Sequence, residues 1–375
     1  MNSSQKLLEA GQSVWYDNIQ RKLLKNGEMA RMITQGEIRG VTSNPTIFMN
    51  AIAKSQDYDE TLVPLAAAGR SAEEIYYQLA IEDIQAVADL FLPLYEETGG
   101  ADGYVSLEVS PYKANDAAAT AEEARQLWQR VNRPNLMIKI PATLAGLPAV
   151  TETIAAGINV NVTLIFSCER YAAVMDAYMA GLEKRVAGGL PVNTIASVAS
   201  FFVSRVDTNV DAQLQKIIAS GGSKAAAAEK LLGKAAVANA CLAYADFKAA
   251  IASSRWQKLK AAGARPQRPL WASTSTKNPV YRDVIYVEEL VGADTVNTVP
   301  PQTLVAMLDH GIVRPTSLEE NYASSVPVFG SLQALGISMQ AVTLQLEDEG
   351  VKSFSDAFTA LLDSVETRRK ASAAT

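Results

Sequence analysis

Histidine and cysteine are nearly absent from this chain. Its 375 residues include one histidine, His310, and two cysteines, Cys168 and Cys241. Two cysteines cannot build a disulfide framework, which fits a reducing compartment. One histidine and two distant cysteines give no zinc-type ligand spacing, so no metal is expected. A Ser-His-Asp or Cys-His mechanism would have to run through His310. That residue stands just before Gly311, where a helix is expected to end, and the helix dipole favours a histidine there. Base chemistry is therefore expected from carboxylates, and nucleophilic chemistry from a lysine.

Other absences narrow the classes further. No basic segment leads into an apolar run at the N-terminus, so no signal peptide is expected. No stretch approaches the roughly 20 apolar residues that span a bilayer, so no membrane partner is expected and cytoplasm is the expected location. Neither G-x-G-x-x-G nor G-x-x-x-x-G-K-[ST] occurs, and no motif implies an organic cofactor. A net charge of −6 argues against general nucleic-acid binding. It leaves room for a small anionic substrate held by a few local cations.

The chain is 48% hydrophobic and 20% charged, which fits a globular protein with a sizeable core. Short apolar runs alternate with longer helical patterns. Candidate strands are Ser13–Asp17, Gly40–Asn44, Gly103–Ser110, Leu136–Ala142, Asn159–Phe166, Ser197–Ser204, Pro269–Ser273 and Asp294–Val299. Helical patterns cover Ala72–Leu92, Ala117–Val131, Lys224–Leu259 and Tyr281–Leu290, and Ser167 reads as the N-cap of a helix through Val186. Strands alternating with helices imply parallel pairing with right-handed crossovers. Eight such candidates fit a (β/α)8 TIM barrel of the α/β class better than an open sheet. A long helical stretch, broken at Gly221-Gly222-Ser223, separates the sixth and seventh candidates. Residues 1–375 read as one barrel domain with a C-terminal helical extension over about 329–370, which can pack across a barrel mouth. The polar tail from Arg368 to Thr375 is expected to fray.

Lys139 lies within Asn135-Leu136-Met137-Ile138-Lys139-Ile140-Pro141-Ala142. In a strand, Leu136, Ile138 and Ile140 share one face, and Met137 and Lys139 share the other. A lysine amid so apolar a run costs desolvation energy, and burial lowers an amine's pKa. A partly neutral amine attacks carbonyls and forms Schiff bases. The alternative is an edge-strand lysine whose head reaches water along its own stem.

The neighbouring strands favour the first reading. In Gly103–Ser110, Ser106, Glu108 and Ser110 alternate with Val105, Leu107 and Val109. In Asn159–Phe166, Asn159, Asn161 and Thr163 alternate with Val160, Val162 and Leu164. Wet-faced antiparallel strands alternate in the same way. Three consecutive strands with one polar face, each separated by a helix, fit a site inside a barrel. Glu108 beside Lys139 could be a structural ion pair or a proton shuttle acting through water. Asn44, in Gly40-Val41-Thr42-Ser43-Asn44-Pro45-Thr46-Ile47-Phe48, reads as an N-cap or as a site residue. Asp17 ends the first strand and could cap the helix after it. Arg205 sits at a strand end. Ser273, Thr274, Ser275, Thr276 and Lys277 follow the seventh strand, where hydroxyls and a cation can hold phosphate or simply cap a helix.

Five segments together resemble the transaldolase family: GVTSNPTIF at Gly40–Phe48, VSLEVS at Val105–Ser110, NLMIKIPAT at Asn135–Thr143, INVNVTLIFS at Ile158–Ser167 and SFFVSRVD at Ser200–Asp207. The resemblance implies that Lys139 is the Schiff-base lysine and Asp17 the acid/base at the C4 hydroxyl. It implies that Glu108 and Thr163 hold the water used in imine chemistry. Asn44, Asn161 and Ser200 would bind the dihydroxyacetone moiety, Phe202 would line the pocket, and Arg205 would hold phosphate. Better-known members carry an arginine in the loop after the seventh strand; this chain has Ser273 and Lys277. The implied reaction moves dihydroxyacetone from sedoheptulose 7-phosphate to glyceraldehyde 3-phosphate. The implied partners are small sugar phosphates, and the chain would act as a monomer or homodimer. Two other readings stay open. One is a fructose 6-phosphate aldolase releasing free dihydroxyacetone, whose known members tend to carry Tyr where Phe202 stands. The other is a sugar-phosphate-binding barrel without turnover.

Overall fold

Short runs of aliphatic and β-branched residues form seven strands in the computed structural model, which describes residues 1–53 and 55–373. They are β1 (Gln12–Tyr16), β2 (Val105–Glu108), β3 (Leu136–Pro141), β4 (Val160–Ile165), β5 (Ser197–Phe202), β6 (Arg268–Ala272) and β7 (Thr295–Val299). All pair in parallel, in the order β1-β7-β6-β5-β4-β3-β2. Helices follow most of the strands, and one hydrophobic cluster fills the interior from Leu7 to Val365.

The second candidate strand, Gly40–Asn44, shrinks to a single bridging residue. Val41 bridges Tyr16 on one side and Val105 on the other, both in parallel. Backbone hydrogen bonds run from Tyr16 N to Gly40 O (2.9 Å), from Val41 N to Tyr104 O (2.9 Å) and from Ser106 N to Val41 O (3.0 Å). This seam joins β1 to β2 and closes the sheet into an α/β TIM-type barrel. Pro45 starts a helix, Pro45–Ala53, only four residues after Val41, so the chain has no length left for a full strand.

Register sets the site. Glu108 pairs with Lys139, and Lys139 pairs with Asn161, so the three stand in one row across β2, β3 and β4. At Leu164 the backbone turns left-handed (φ 62°) and the pairing of β4 with β5 shifts register. Bulges of this kind re-aim side chains beside active sites.

The helix pattern holds in part. Helix Ala117–Val131 forms as read, Ser167 caps Cys168–Ala187, and the first long helix extends to Glu97. The stretch expected over Lys224–Leu259 divides into Ala225–Glu229, Ala235–Ala252 and Ser254–Ala261. Tyr281–Leu290 is helical only over Ile285–Glu288. Helix Ala235–Ala252 passes for a membrane span by length and composition, but half of it is buried inside the protein, where it packs on helix Ser317–Leu335.

The C-terminal helix, Met339–Ala373, lies across helices Pro45–Ala53, Asp59–Ala67 and Ala72–Glu97. Its buried stripe is Leu346, Gly350, Phe354, Phe358, Leu361 and Val365, at the spacing of one helical face. Of the tail expected to fray, the described part through Ala373 continues the helix instead, and Arg368 donates to Ile52 O and to Asp59. Residues 374 and 375 lie outside those described.

Candidate functional site

Strand ends and the segments just after them surround a cleft of about 430 Å³. Asp17 follows β1, Thr42 and Asn44 follow the Val41 seam, and Lys139 comes from β3. Ser200 and Phe202 end β5, Ser273 follows β6, and Thr298 lies in β7. Arg205 and Lys277 also line this cleft. Glu108, Asn161 and Thr163 are buried in the barrel interior.

Lys139 is not an edge residue. It is 4% exposed, in an interior strand between β2 and β4. Its Nζ donates to Ser43 O at 3.2 Å and lies 3.5 Å from Glu108 Oε2. That separation is within ion-pair reach, yet neither Glu108 oxygen has a hydrogen-bond partner within the protein, and nor has Thr163 Oγ1. Burial pushes the Glu108 carboxyl up to about 7; Lys139 pulls it down and Asp17 adds to the rise. Glu108 thus titrates in the range where a proton shuttle works at neutral pH.

Asp17 does not cap a helix. The helix after it, Arg21–Lys25, has Gln20 at its N-cap. Asp17 Oδ1 accepts from Thr42 Oγ1 at 2.6 Å, and Thr42 Oγ1 lies 2.6 Å from Thr298 Oγ1. Because Thr42 donates its proton to Asp17, Thr298 donates to Thr42. Burial raises the Asp17 carboxyl above its ordinary value, against the pull of Lys139, the Thr42 hydrogen bond and Lys277.

Asn44 caps the helix, its Oδ1 accepting from Ile47 N at 3.0 Å, and the residue also lines the cleft. Asn161 donates to Ser106 Oγ (3.0 Å) and accepts from Ser200 Oγ (2.7 Å), which fixes its amide. Phe202 packs on Phe166 at 5.1 Å between ring centroids. The Arg205 guanidinium lies 5.6 Å from the Phe202 ring centre.

Ser273 has left-handed backbone (φ 56°), and its Oγ lies 3.0 Å from Ser204 Oγ. Lys277 Nζ donates to Ser275 Oγ at 2.5 Å. Burial lowers the Lys277 amine's pKa, Arg205 lowers it further, and Asp17 raises it. Burial also lowers that of Arg205. Two cations lining one cleft together with Ser273 and Ser275 can hold an anion.

The residues lining the cleft that were not expected at the site include Thr42, Thr298, Gln302 and Phe354. Thr42 sits inside the GVTSNPTIF segment, and Thr298 stands one residue before the end of a candidate strand, so both carried a positional signal. Phe354 carried none. It enters from the C-terminal helix, and Lys139 Nζ lies 5.6 Å from the centre of its ring. Among the described residues, no group of His, Cys, Asp or Glu is arranged to hold a metal ion.

The model of the transaldolase/fructose-6-phosphate aldolase family matches residues 14–365. A transaldolase of Thermobifida fusca (strain YX) is 51% identical over 361 residues, covering 96% of this chain and 96% of that protein. A transaldolase of Mycolicibacterium smegmatis (strain ATCC 700084 / mc(2)155) is 49% identical over 360 residues, covering 96% of this chain and 95% of that protein. With its cleft, its seam and its buried lysine all inside the matched span, this chain belongs to the transaldolase/fructose-6-phosphate aldolase family.

Proposed function

We propose that this protein is a transaldolase that moves dihydroxyacetone from sedoheptulose 7-phosphate to glyceraldehyde 3-phosphate, through a Schiff base on Lys139. The observation that carries this reading is the buried Lys139 amine, 3.5 Å from a carboxyl that titrates near neutrality, at the edge of a cleft holding two cations. Lys139 Nζ attacks the ketose C2 carbonyl. Glu108, with a water held between it and Thr163, supplies and takes up the protons of carbinolamine formation and loss of water. Asn44, Asn161 and Ser200 bind the hydroxyls of the three-carbon unit.

The protonated imine then withdraws electrons from the C3–C4 bond. Asp17 takes the C4 hydroxyl proton, the bond breaks, and an aldose phosphate leaves. Burial makes Asp17 a stronger base than an exposed aspartate, and the Thr42 hydroxyl fixes its orientation. The remaining enamine attacks the second aldose phosphate, and hydrolysis of the new imine frees Lys139. Arg205, Lys277 and Ser273 hold the substrate phosphate; Lys277 acts there as a point charge rather than a fork. Phe202 keeps the waiting carbon in apolar surroundings. Every group invoked comes from one chain, so a monomer or a homodimer serves equally. Both cysteines are free thiols, and we place the reaction in the cytoplasm.

The test is fructose 6-phosphate with and without erythrose 4-phosphate. Rapid sedoheptulose 7-phosphate formation with acceptor, and slow dihydroxyacetone release without it, is the expected outcome. Equal release in both cases makes the protein an aldolase.

A further inference from the structure

We infer that Phe354 is a specificity-determining residue: its ring roofs the Lys139 amine and keeps water from the enamine, so that the three-carbon unit is transferred rather than released. The inference rests on the Schiff-base reading of Lys139. Phe354 lines the same cleft as Lys139 and Phe202, is 5% exposed, and has its ring centre 5.6 Å from Lys139 Nζ. An aromatic face at that distance attracts a cationic nitrogen, as in the protonated imine, while offering no hydrogen bond to water.

The ring is held in place by a helix fixed at several points. Arg170 grips Glu347 through two hydrogen bonds of 3.1 Å. Phe358, one turn after Phe354, packs edge-on against Tyr76 (5.5 Å) and Tyr112 (5.2 Å). Tyr112 also shares a 2.6 Å hydrogen bond with Thr359. Gly350, one turn before Phe354, lies so close to the β4 bulge that a Cβ there would stand 3.0 Å from Leu164 Cδ2. The left-handed bulge and the missing side chain together let the helix settle onto the barrel mouth. A roof held in this way is a fixed wall, which suits exclusion of water throughout the wait for the acceptor.

The alternative fate of the enamine needs water at this position. Its carbon takes a proton from water and the protonated imine re-forms. Water then adds to the imine carbon and the carbinolamine expels Lys139, returning the proton. The net change is one water consumed and free dihydroxyacetone released. Only the first step separates release from transfer: imine hydrolysis uses the water between Glu108 and Thr163 in both reactions, whereas protonation of the enamine carbon needs water on the open side of the cleft, which the Phe354 ring lines.

The experiment measures the ratio of dihydroxyacetone released to sedoheptulose 7-phosphate formed, with fructose 6-phosphate and erythrose 4-phosphate as substrates. This ratio does not depend on how much of a variant is folded. Phe354→Ala is expected to raise it about tenfold, whereas Phe354→Leu, which keeps apolar bulk, holds it within about threefold of the parent. A ratio unchanged in Phe354→Ala overturns the inference, and so does an equal rise in both variants. Borohydride trapping on the parent protein separates the two levels: failure to label Lys139 there overturns the Schiff-base reading itself.

Discussion

Lys139 Nζ lies 3.5 Å from Glu108 Oε2, and each residue is 4% exposed. The strand register makes this pairing, because Glu108 and Lys139 are Cα partners across β2 and β3. A buried carboxylate without hydrogen bonds is costly, and Glu108 answers by titrating at about 7.

That titration has a pH signature. The kcat/KM profile of the parent is expected to show a group near 7, and Glu108→Gln is expected to remove it. Stability follows the same group. The folded carboxyl holds its proton more tightly than the unfolded one, whose pKa is near 4.5. Its contribution is therefore fully present below the unfolded value and is lost as pH rises through about 7. Melting temperatures measured from pH 5 to pH 8.5 should fall less steeply in Glu108→Gln.

Thr42→Val removes the donor that holds Asp17 at 2.6 Å. Asp17 then loses one of the interactions that favour its charged form, so its pKa rises further. The acid limb of the kcat profile is expected to move to higher pH, with kcat at pH 7 falling about tenfold. Thr298→Val, one hydroxyl further away, should shift the limb by less.

Arg205→Ala is expected to raise KM for phosphorylated ketose about a hundredfold, and Lys277→Ala about tenfold. Unphosphorylated fructose should respond little to either change. Kinetics with the two sugars side by side check this.

Gly40 lies at the seam that closes the barrel. A Cβ there would stand 2.7 Å from ring carbons of Trp15, whose Nε1 is fixed to Asp102 Oδ1 at 2.9 Å. Gly40→Ala is expected to cost about 1–3 kcal/mol of stability, read from urea unfolding.

Much of this site was legible because polar and apolar residues alternate in the strands. The alternation around Glu108, Lys139 and Asn161 placed all three on the inner face, and parallel register aligned them. Asp17 and Asn44 were read as possible caps, and the structure separates them: Asn44 caps and lines the cleft, while Asp17 caps nothing. The Tyr281–Leu290 helix failed because tertiary contacts overrode local preference. Arg282 reaches Glu288 (2.8 Å) and His310 O (2.8 Å), and this segment winds into turns. Phe354 was illegible for a different reason. It stands in a buried helical stripe like any other, and only the path of that helix over the barrel brings it to Lys139.

The most direct test is borohydride reduction with fructose 6-phosphate, followed by mass mapping of the modified peptide. The expected result is one three-carbon adduct, on the peptide carrying Lys139, absent from Lys139→Ala. An adduct on any other lysine, or none in the active parent protein, would contradict the account.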